Sequence, residues 1–422
     1  MPHQVALTIR VDITGEQFAA LDNTLTEICR KGTANDLIPF SDMDGVHFAR
    51  LLLTPETLDL HGATIRPSII YLAELDAPAE THVAELVTKA RSGLDRLFAG
   101  CDGYPAHNAG AIVDWLNQHV LPTAAYYVNT VGRSLTQIRQ EALLRESIED
   151  FLDRERSRFD PMTALDVRVA IQKHVRERAD LAFASSPPER PDLSWRIGET
   201  IHRIAAPAAA LALLPVGLVA APVWAALLRW HEVTDTPERV LPDPQKLGAI
   251  ADLENFVAQN AFTAVGFVKP GRLRRLTING ALTALDYAVR HIYNRGSLSG
   301  VQTIHFARWI FLDDGRRVLF ASNYDGSLES YMDEFIDKLA WGLNAVFSNG
   351  LGYPGTRWLV ARGATDEEAF KNYLHNHQVR TQLWYSAYER LTAHNIETNA
   401  RIRAGLTGEM TPADAQSWLA LL

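Results

Sequence analysis

The sequence predicts an α+β fold built from two tandem repeats, and three observations support this prediction. A block with His-Phe-Ala-Arg near its start and Gly-Tyr-Pro at its end occurs twice, at residues 46–105 and 304–354. Each block reads as two strands followed by a long amphipathic helix. Four matching pairs lie 258 positions apart: His47 and His305, Arg50 and Arg308, His119 and His377, and Thr123 and Thr381. A period this long indicates a duplicated domain.

The second block predicts a tight β-hairpin. Residues 304–312 and 317–325 are rich in aromatic and β-branched residues, and Asp314-Gly315 between them is typical of a two-residue type I′ turn. Such a turn pairs residue 312 with 317 and residue 308 with 321. The following helix, residues 327–349, has Ser327 as its expected N-cap.

Side-chain alternation divides this hairpin into two faces. One carries Trp309 and Phe311, and the other carries Arg308, Asn323 and Asp325. Both faces are largely apolar, so we expect helices behind the sheet and a closed interior in front of it. The polar face also has structural interpretations: Arg308 and Asp325 satisfy each other, or Asp325 belongs to the cap of the next helix.

Flanking segments extend each block to the order β-α-β-β-α-β, a ferredoxin-like unit. We therefore expect a first repeat at residues 1–140, a helical linker at 141–250, and a second repeat with C-terminal helices at 251–422. The two units are predicted to pair their sheets into one α+β barrel.

The linker contains an apolar segment, residues 204–228, without a single charge. Arg203 and Arg229 bracket it, and tryptophans lie near its far end, as in membrane-spanning helices. Three prolines interrupt it, however, and one span would separate the repeats across the membrane. We therefore expect a monotopic hairpin that turns at residues 214–217 on the inner membrane face. A soluble core or oligomer contact and a true span remain alternatives.

The composition is that of an ordinary globular protein of 422 residues, 47% hydrophobic and 22% charged. The net charge of −9, without Lys/Arg-rich runs, argues against a nucleic-acid partner. Cys29 and Cys101 lack metal-ligand spacing and are expected to be buried thiols in a reducing compartment. The N-terminus shows no signal pattern, so we expect a cytoplasmic location.

The duplicated architecture resembles the dimeric α/β-barrel superfamily, which includes dye-decolorising peroxidases and chlorite-dismutase-like haem proteins. In these peroxidases a His in the second half ligates haem and a distal Arg follows on a strand; His291 and Arg308 are similarly placed. The family's distal Asp lies in a GxxDG motif, which residues 322–326 and 99–103 match in part. The family lacks an apolar insert between its halves. The blocks HFARW, NYDGS and GYP also resemble bacterial proteins of unassigned function.

This resemblance implies haem as cofactor, with His291 as the metal ligand. Arg308 would bind near the haem and stabilise charge on bound peroxide oxygen. Asp325, or Asp102, would shuttle the proton, with Asn323 beside it. The helix before Arg308 carries Ala284 and Ala288 on the face of His291, which suits a flat cofactor. A His at a helix end also complements the helix dipole, and that interpretation stays open.

Three functions therefore compete. The first is a haem-dependent, peroxidase-like oxidoreductase at the membrane surface, acting on a small molecule. The second is a non-catalytic membrane-associated scaffold or apolar-ligand carrier, with the barrel interior as its pocket. The third is a cofactor-free enzyme that uses Arg308, Asp325 and His305.

Overall fold

The computed structural model describes residues 3–30, 37–106, 108–235, 240–251 and 257–422, without the side chains of Glu27, Cys29 and Arg30. The first half contains these elements in chain order: β1 (Gln4–Asp12), α1 (Gly15–Arg30), β2 (Val46–Thr54), β3 (Thr57–Leu58), β4 (Thr64–Ile65), β5 (Ser68–Asp76), α2 (Ala79–Lys89), α3 (Arg91–Phe98), α4 (Ala109–Gln118) and β6 (Thr123–Val128). The long helix predicted after the two strands of the first block is broken at Ala90, where φ is −115°.

Helices fill the middle of the chain: α5 (Leu135–Arg154), α6 (Arg156–Phe159), α7 (Ala164–Glu177), α8 (Leu193–Ala212), α9 (Leu214–Thr234) and α10 (Pro244–Ala251). The second half continues with β7 (Gln259–Phe267), α11 (Arg272–His291), β8 (Ile304–Leu312), β9 (Arg317–Asp325), α12 (Leu328–Phe347), β10 (Thr356–Arg357), β11 (Ala361–Arg362), α13 (Glu367–His377), β12 (Thr381–Ser386), α14 (Ala393–Ala404) and α15 (Pro412–Leu419). The helical linker expected at residues 141–250 lies partly outside the described residues, which do not include 236–239.

The main strands form two four-stranded antiparallel sheets. Sheet 1 has the order β1-β5-β2-β12, and sheet 2 has the order β6-β8-β9-β7. Strand β12, from the second half of the chain, is therefore the edge strand beside β2 in sheet 1. Strand β6, from the first half, is the edge strand beside β8 in sheet 2. The fold is α+β, and within the described residues neither sheet closes on itself.

The hairpin of β8 and β9 has the predicted register over most of its length. Leu312 pairs with Arg317 and Arg308 with Ala321, across a turn with positive φ at Asp314 and Gly315. The register shifts between Ile304 and Phe306, so Ile304 pairs with Tyr324. A one-residue bulge therefore falls at His305, which simple alternation did not predict.

The two sheets face each other, and helices cover their outer faces. Between the sheets, side chains from both form a joint cluster: Leu52, Ile70, Leu72, Ile310, Leu312, Leu319 and Ala321. Behind sheet 2, Trp309 and Phe320 pack with Ile278 and Leu282 of α11 and with residues of α12. Behind sheet 1, a matching cluster joins β1, β2 and β5 to α1–α4 and includes the buried Cys101.

The apolar segment lies in α8 and α9, which meet at Leu213. Residues 207–223 are all exposed, although none of them is polar or charged. Both helices are attached to α11. His202 Nδ1 lies 2.7 Å from His291 Nε2 at one end, and Trp224 Nε1 donates to Thr277 Oγ1 over 3.0 Å at the other. The segment thus leaves the body near one end of α11 and returns near the other.

Candidate functional site

Arg308 lies in the middle of β8, fully buried between the sheets. Four of its N–H groups donate to acceptors on sheet 1. Nη1 donates to Leu7 O (2.7 Å) and Thr8 Oγ1 (3.1 Å), Nη2 donates to Ala73 O (2.6 Å), and Nε donates to Glu74 Oε1 (3.2 Å). Nη2 also lies 2.6 Å from Glu74 Oε1 in an ion pair. Because these groups bind sheet 1, Arg308 is held as a structural cation between the sheets.

Arg50 occupies the equivalent position on β2. Its Nη1 donates to Phe262 O and Thr263 Oγ1 (both 2.9 Å), and its Nη2 donates to Ser322 O (2.8 Å) and Asn323 Oδ1 (2.6 Å). The Asn323 amide therefore contacts Arg50 in the position where the Glu74 carboxylate contacts Arg308. Burial lowers the pKa of Arg50 to about 10, so the guanidinium remains charged at neutral pH without a directly bound carboxylate.

Asp325 ends β9, and its side chain lies beside the N-terminus of α14. Its Oδ1 lies 2.7 Å from His305 Nε2, and its Oδ2 accepts from Ala393 N at the first turn of α14 (2.8 Å). Asp76 does the same in the first half: it contacts His47 Nε2 (3.1 Å) and accepts from Leu135 N of α5 (2.9 Å). Asp325 therefore anchors α14 and is not the partner of Arg308, which pairs with Glu74.

His291 is the last residue of α11, beside α8. Its Nε2 contacts His202 and lies 3.9 Å from Glu199 Oε2. Burial lowers its pKa, which favours the neutral imidazole. Because α11 packs on the outer face of sheet 2 while Arg308 points to the inner face, one haem cannot contact both residues. The placement of His291 and Arg308 therefore does not fit the haem site that the resemblance implies.

A large apolar cavity of about 470 Å³ lies behind sheet 2, between α11 and α12. Its floor is formed by Phe262, Trp309 and Phe320 from the outer face of the sheet. Helix α12 is interrupted at Leu339 (φ −138°), and the Leu339 side chain lines the cavity. The volume lies in the range of small-molecule sites, about 300–1,000 Å³.

The chemistry of the cavity wall is almost purely hydrophobic. No charged residue, His or Cys lines it among the described residues. One polar group is unsatisfied: the indole N–H of Trp309 is buried and has no hydrogen-bond partner within the described structure. The wall therefore suits an uncharged apolar ligand and has no side chain for axial ligation by imidazole or thiolate.

The cavity opens beside the apolar segment. Its exposed lining residues are Leu276, Gly280 and Ala284 on α11 and Trp341 on α12, with Leu276 71% and Trp341 54% exposed. On a helix, positions 276, 280, 284, 287 and 291 share one face. Tyr287 and His291 contact α8, where Tyr287 donates to Arg203 O over 3.1 Å. The opening and the attachment of α8 therefore share one face of α11.

Sequence reasoning located one side of this cavity but missed the cavity itself. The small residues Ala284 and Ala288 were assigned to a ligand face, and both line it. The pocket predicted for the barrel interior is placed differently: the inner faces hold the joint cluster and the two arginines, while the cavity lies on the opposite face of sheet 2. The interruption of α12 at Leu339 had no recognisable signal in the sequence.

No described group of three or more His, Cys, Asp or Glu side chains is placed to hold a metal ion. Comparison of the chain with protein-family models, with curated proteins and with solved structures finds no match.

Proposed function

We propose that this protein is a membrane-surface protein that binds an apolar ligand in the cavity behind sheet 2, without catalysis. The observation that supports this most directly is the shared face of α11: the cavity opens on the side where the exposed apolar segment is attached. A hydrophobic binding site and a hydrophobic surface therefore adjoin one another.

The exposed apolar segment supports the membrane part of the proposal. Helix α9 is long and apolar enough to cross a membrane, and only 6% of its most apolar window is buried. Core helices of soluble proteins can have the same length and composition, but those helices are mostly buried. At about 25 cal/mol per Å², leaving half of such a segment in water costs on the order of 10 kcal/mol. The exposed apolar segment must therefore be shielded from water, and we propose that membrane lipid shields it.

The attachment of both ends favours insertion into one leaflet over a span. Trp224 and His202 hold α9 and α8 to the same helix, α11, so the segment returns to the side that it left. The proposed location is the inner face of the membrane, with the body of the protein in the cytoplasm. This is the peripheral or monotopic arrangement.

The proposed body is a duplicated ferredoxin-like unit whose two sheets form one barrel-like interior. Its support is the residue-by-residue correspondence of the two arginine sites, in which Leu7, Thr8, Ala73 and Glu74 match Phe262, Thr263, Ser322 and Asn323. The exchange of β6 and β12 between the sheets also ties the halves into one unit.

The haem-dependent function stays a prediction. The small-residue face of α11 lines the cavity as a flat cofactor requires, yet His291 is held by His202 outside it. An absorption spectrum of the purified protein is the test: a haem band would favour that function over apolar-ligand binding.

Vesicle flotation tests the membrane part of the proposal. Leu214, half exposed at the bend between α8 and α9, is replaced by Glu. A charge in the hydrocarbon region costs about 2 kcal/mol or more, so we expect at least a roughly ten-fold loss of vesicle binding. Leu58→Glu, an equally polar change on the exposed strand β3, should bind as wild type.

Circular dichroism should show both variants folded, since Leu214 and Leu58 are exposed. If wild-type protein does not float with vesicles and behaves as a dimer in light scattering, a second copy covers the segment and the membrane proposal fails. If Leu214→Glu unfolds the protein, the segment belongs to the core.

A further inference from the structure

Resting on the proposed function, we infer that the ligand is the hydrocarbon chain of a membrane lipid, which enters the cavity sideways from the bilayer between α11 and α12. The headgroup stays outside. Both the position of the opening and the chemistry of the cavity wall support this ligand.

The opening faces the surface that carries the membrane segment. Leu276 and Trp341 border it and are exposed apolar side chains. Trp224 of α9 lines the cavity and is hydrogen-bonded to Thr277 of α11. The wall of the cavity is thus continued by a helix of the apolar segment. A lipid hydrocarbon chain that leaves the bilayer along α9 would stay on apolar surface until it reaches the cavity. A polar ligand that arrives from water would first have to cross the apolar residues around the opening.

The wall selects a chain over a charged molecule. Across its 26 lining residues the cavity offers neither an ammonium nor a guanidinium group to bind a carboxylate or phosphate. An ionised group moved into such a wall would lose its hydration without compensation. The charged or zwitterionic part of the ligand therefore remains at the opening, and only hydrocarbon and uncharged groups enter.

Filling the opening tests the inference. Ala284 lies at the exposed edge of the cavity, and Ala284→Trp places an indole across it. The control is Asn279→Trp, the same new side chain on an exposed position of α11 that does not line the cavity. Binding of cis-parinaric acid methyl ester, an uncharged fluorescent chain, is measured with the full-length protein. We expect at least ten-fold weaker binding for Ala284→Trp and a change under two-fold for Asn279→Trp.

The source of the chain is tested with phosphatidylcholine vesicles that contain pyrene-labelled phosphatidylcholine. Wild type should transfer the label to acceptor vesicles, Ala284→Trp should bind vesicles but transfer none, and Leu214→Glu should bind the free ester normally but transfer little. Equal ester binding by wild type and Ala284→Trp would overturn the inference. So would transfer by Leu214→Glu at the wild-type rate, since the chain would then come through water.

These outcomes separate the inference from the proposal on which it rests. Failure of wild type to float with vesicles removes the membrane-surface function. Flotation without any ester binding leaves the membrane function intact and removes the lipid-chain ligand. If Ala284→Trp does not fold, Gly280→Leu replaces it, because a Cβ atom added at Gly280 meets no atom within 4 Å.

Discussion

At the residue scale, the two buried arginines show how polar groups are accommodated in the apolar interface between the two sheets. Each guanidinium reaches from one sheet to the backbone carbonyls of the other, where a buried cation would otherwise be unsatisfied. Only Arg308 has a carboxylate partner, Glu74; Arg50 has the Asn323 amide. The difference between the two sites can be measured directly.

Glu74→Ala and Asn323→Ala form a matched pair for this measurement. Removing Glu74 leaves Arg308 buried without a counter-charge, so we expect a loss of about 3–5 kcal/mol in unfolding free energy. Removing Asn323 deletes one of four acceptors of Arg50, with an expected loss of about 1–3 kcal/mol. Urea unfolding measures both. Equal losses in the two variants would contradict the assignment of Glu74 as the counter-charge.

Sequence reasoning placed Arg308 and Asn323 on the same face of the hairpin, and both side chains do lie between the sheets. Alternation along a strand is a local property, and the hairpin turn fixed it. Glu74, in contrast, comes from a strand more than 200 positions earlier, and its contact with Arg308 depends on how the two sheets are stacked. For the same reason the interpretation that paired Asp325 with Arg308 is wrong, because the bulge at His305 and the docking of α14 are tertiary features.

At the element scale, helices dock on the sheets through few polar contacts, and the contact of α2 is sensitive to pH. His82 of α2 is buried and its Nε2 lies 2.7 Å from Tyr71 OH on β5. Burial lowers the pKa of His82 to about 4 from its ordinary 6.5, and Nδ1 has no partner within the described structure. The folded protein therefore keeps this imidazole neutral where the unfolded chain protonates it.

We predict that His82 makes folding sensitive to mild acid. Its contribution is fully present above pH 6.5 and is lost as the pH falls from 6.5 to about 4, by about 3 kcal/mol in total. His82→Phe should be less stable at pH 7, because Tyr71 loses its partner, but should show a shallower loss over this range. The exposed His61→Phe is the control. Parallel curves for wild type and His82→Phe, measured by urea unfolding at each pH, would refute this account.

Most helices and strands were predictable from the sequence at this scale, since periodicity and caps are local signals. Ser327 caps α12, as its position indicated. The breaks at Ala90 and Leu339 were not predictable, because no Pro or Gly marks either position. The second of these lies in the wall of the cavity, since Leu339 lines it.

At the scale of the whole molecule, the repeat predicted two similar units but not the exchange of strands between them. The offset of 258 positions shows which residues of the two repeats correspond. It does not indicate which sheet each edge strand joins. Strand β12 pairs with β2 of the first half, and β6 pairs with β8 of the second. The boundary expected near residue 140 therefore divides the sequence but does not divide the fold into two domains, because each sheet contains strands from both halves of the chain.

This exchange predicts that neither half folds alone. A cut after Glu189, in the exposed stretch between α7 and α8, gives fragments 1–189 and 190–422. Fragment 1–189 lacks β12, so β2 has an unpaired edge, and fragment 190–422 lacks β6, so β8 has one. Unpaired edges promote aggregation. We expect each fragment to be insoluble when expressed alone, and the two to purify together as a soluble complex when co-expressed.

A single substitution tests whether strand exchange holds the complex together. Leu383 pairs with Leu51 across the β12–β2 edge, and Leu383→Pro removes a ladder hydrogen bond and the strand geometry around it. The variant fragment should no longer bring fragment 1–189 into solution. If fragment 1–189 proves to be a soluble monomer with a cooperative unfolding transition, sheet 1 is complete without β12. The second half would then be an independent unit, and the arginine contacts would join two separately folded domains.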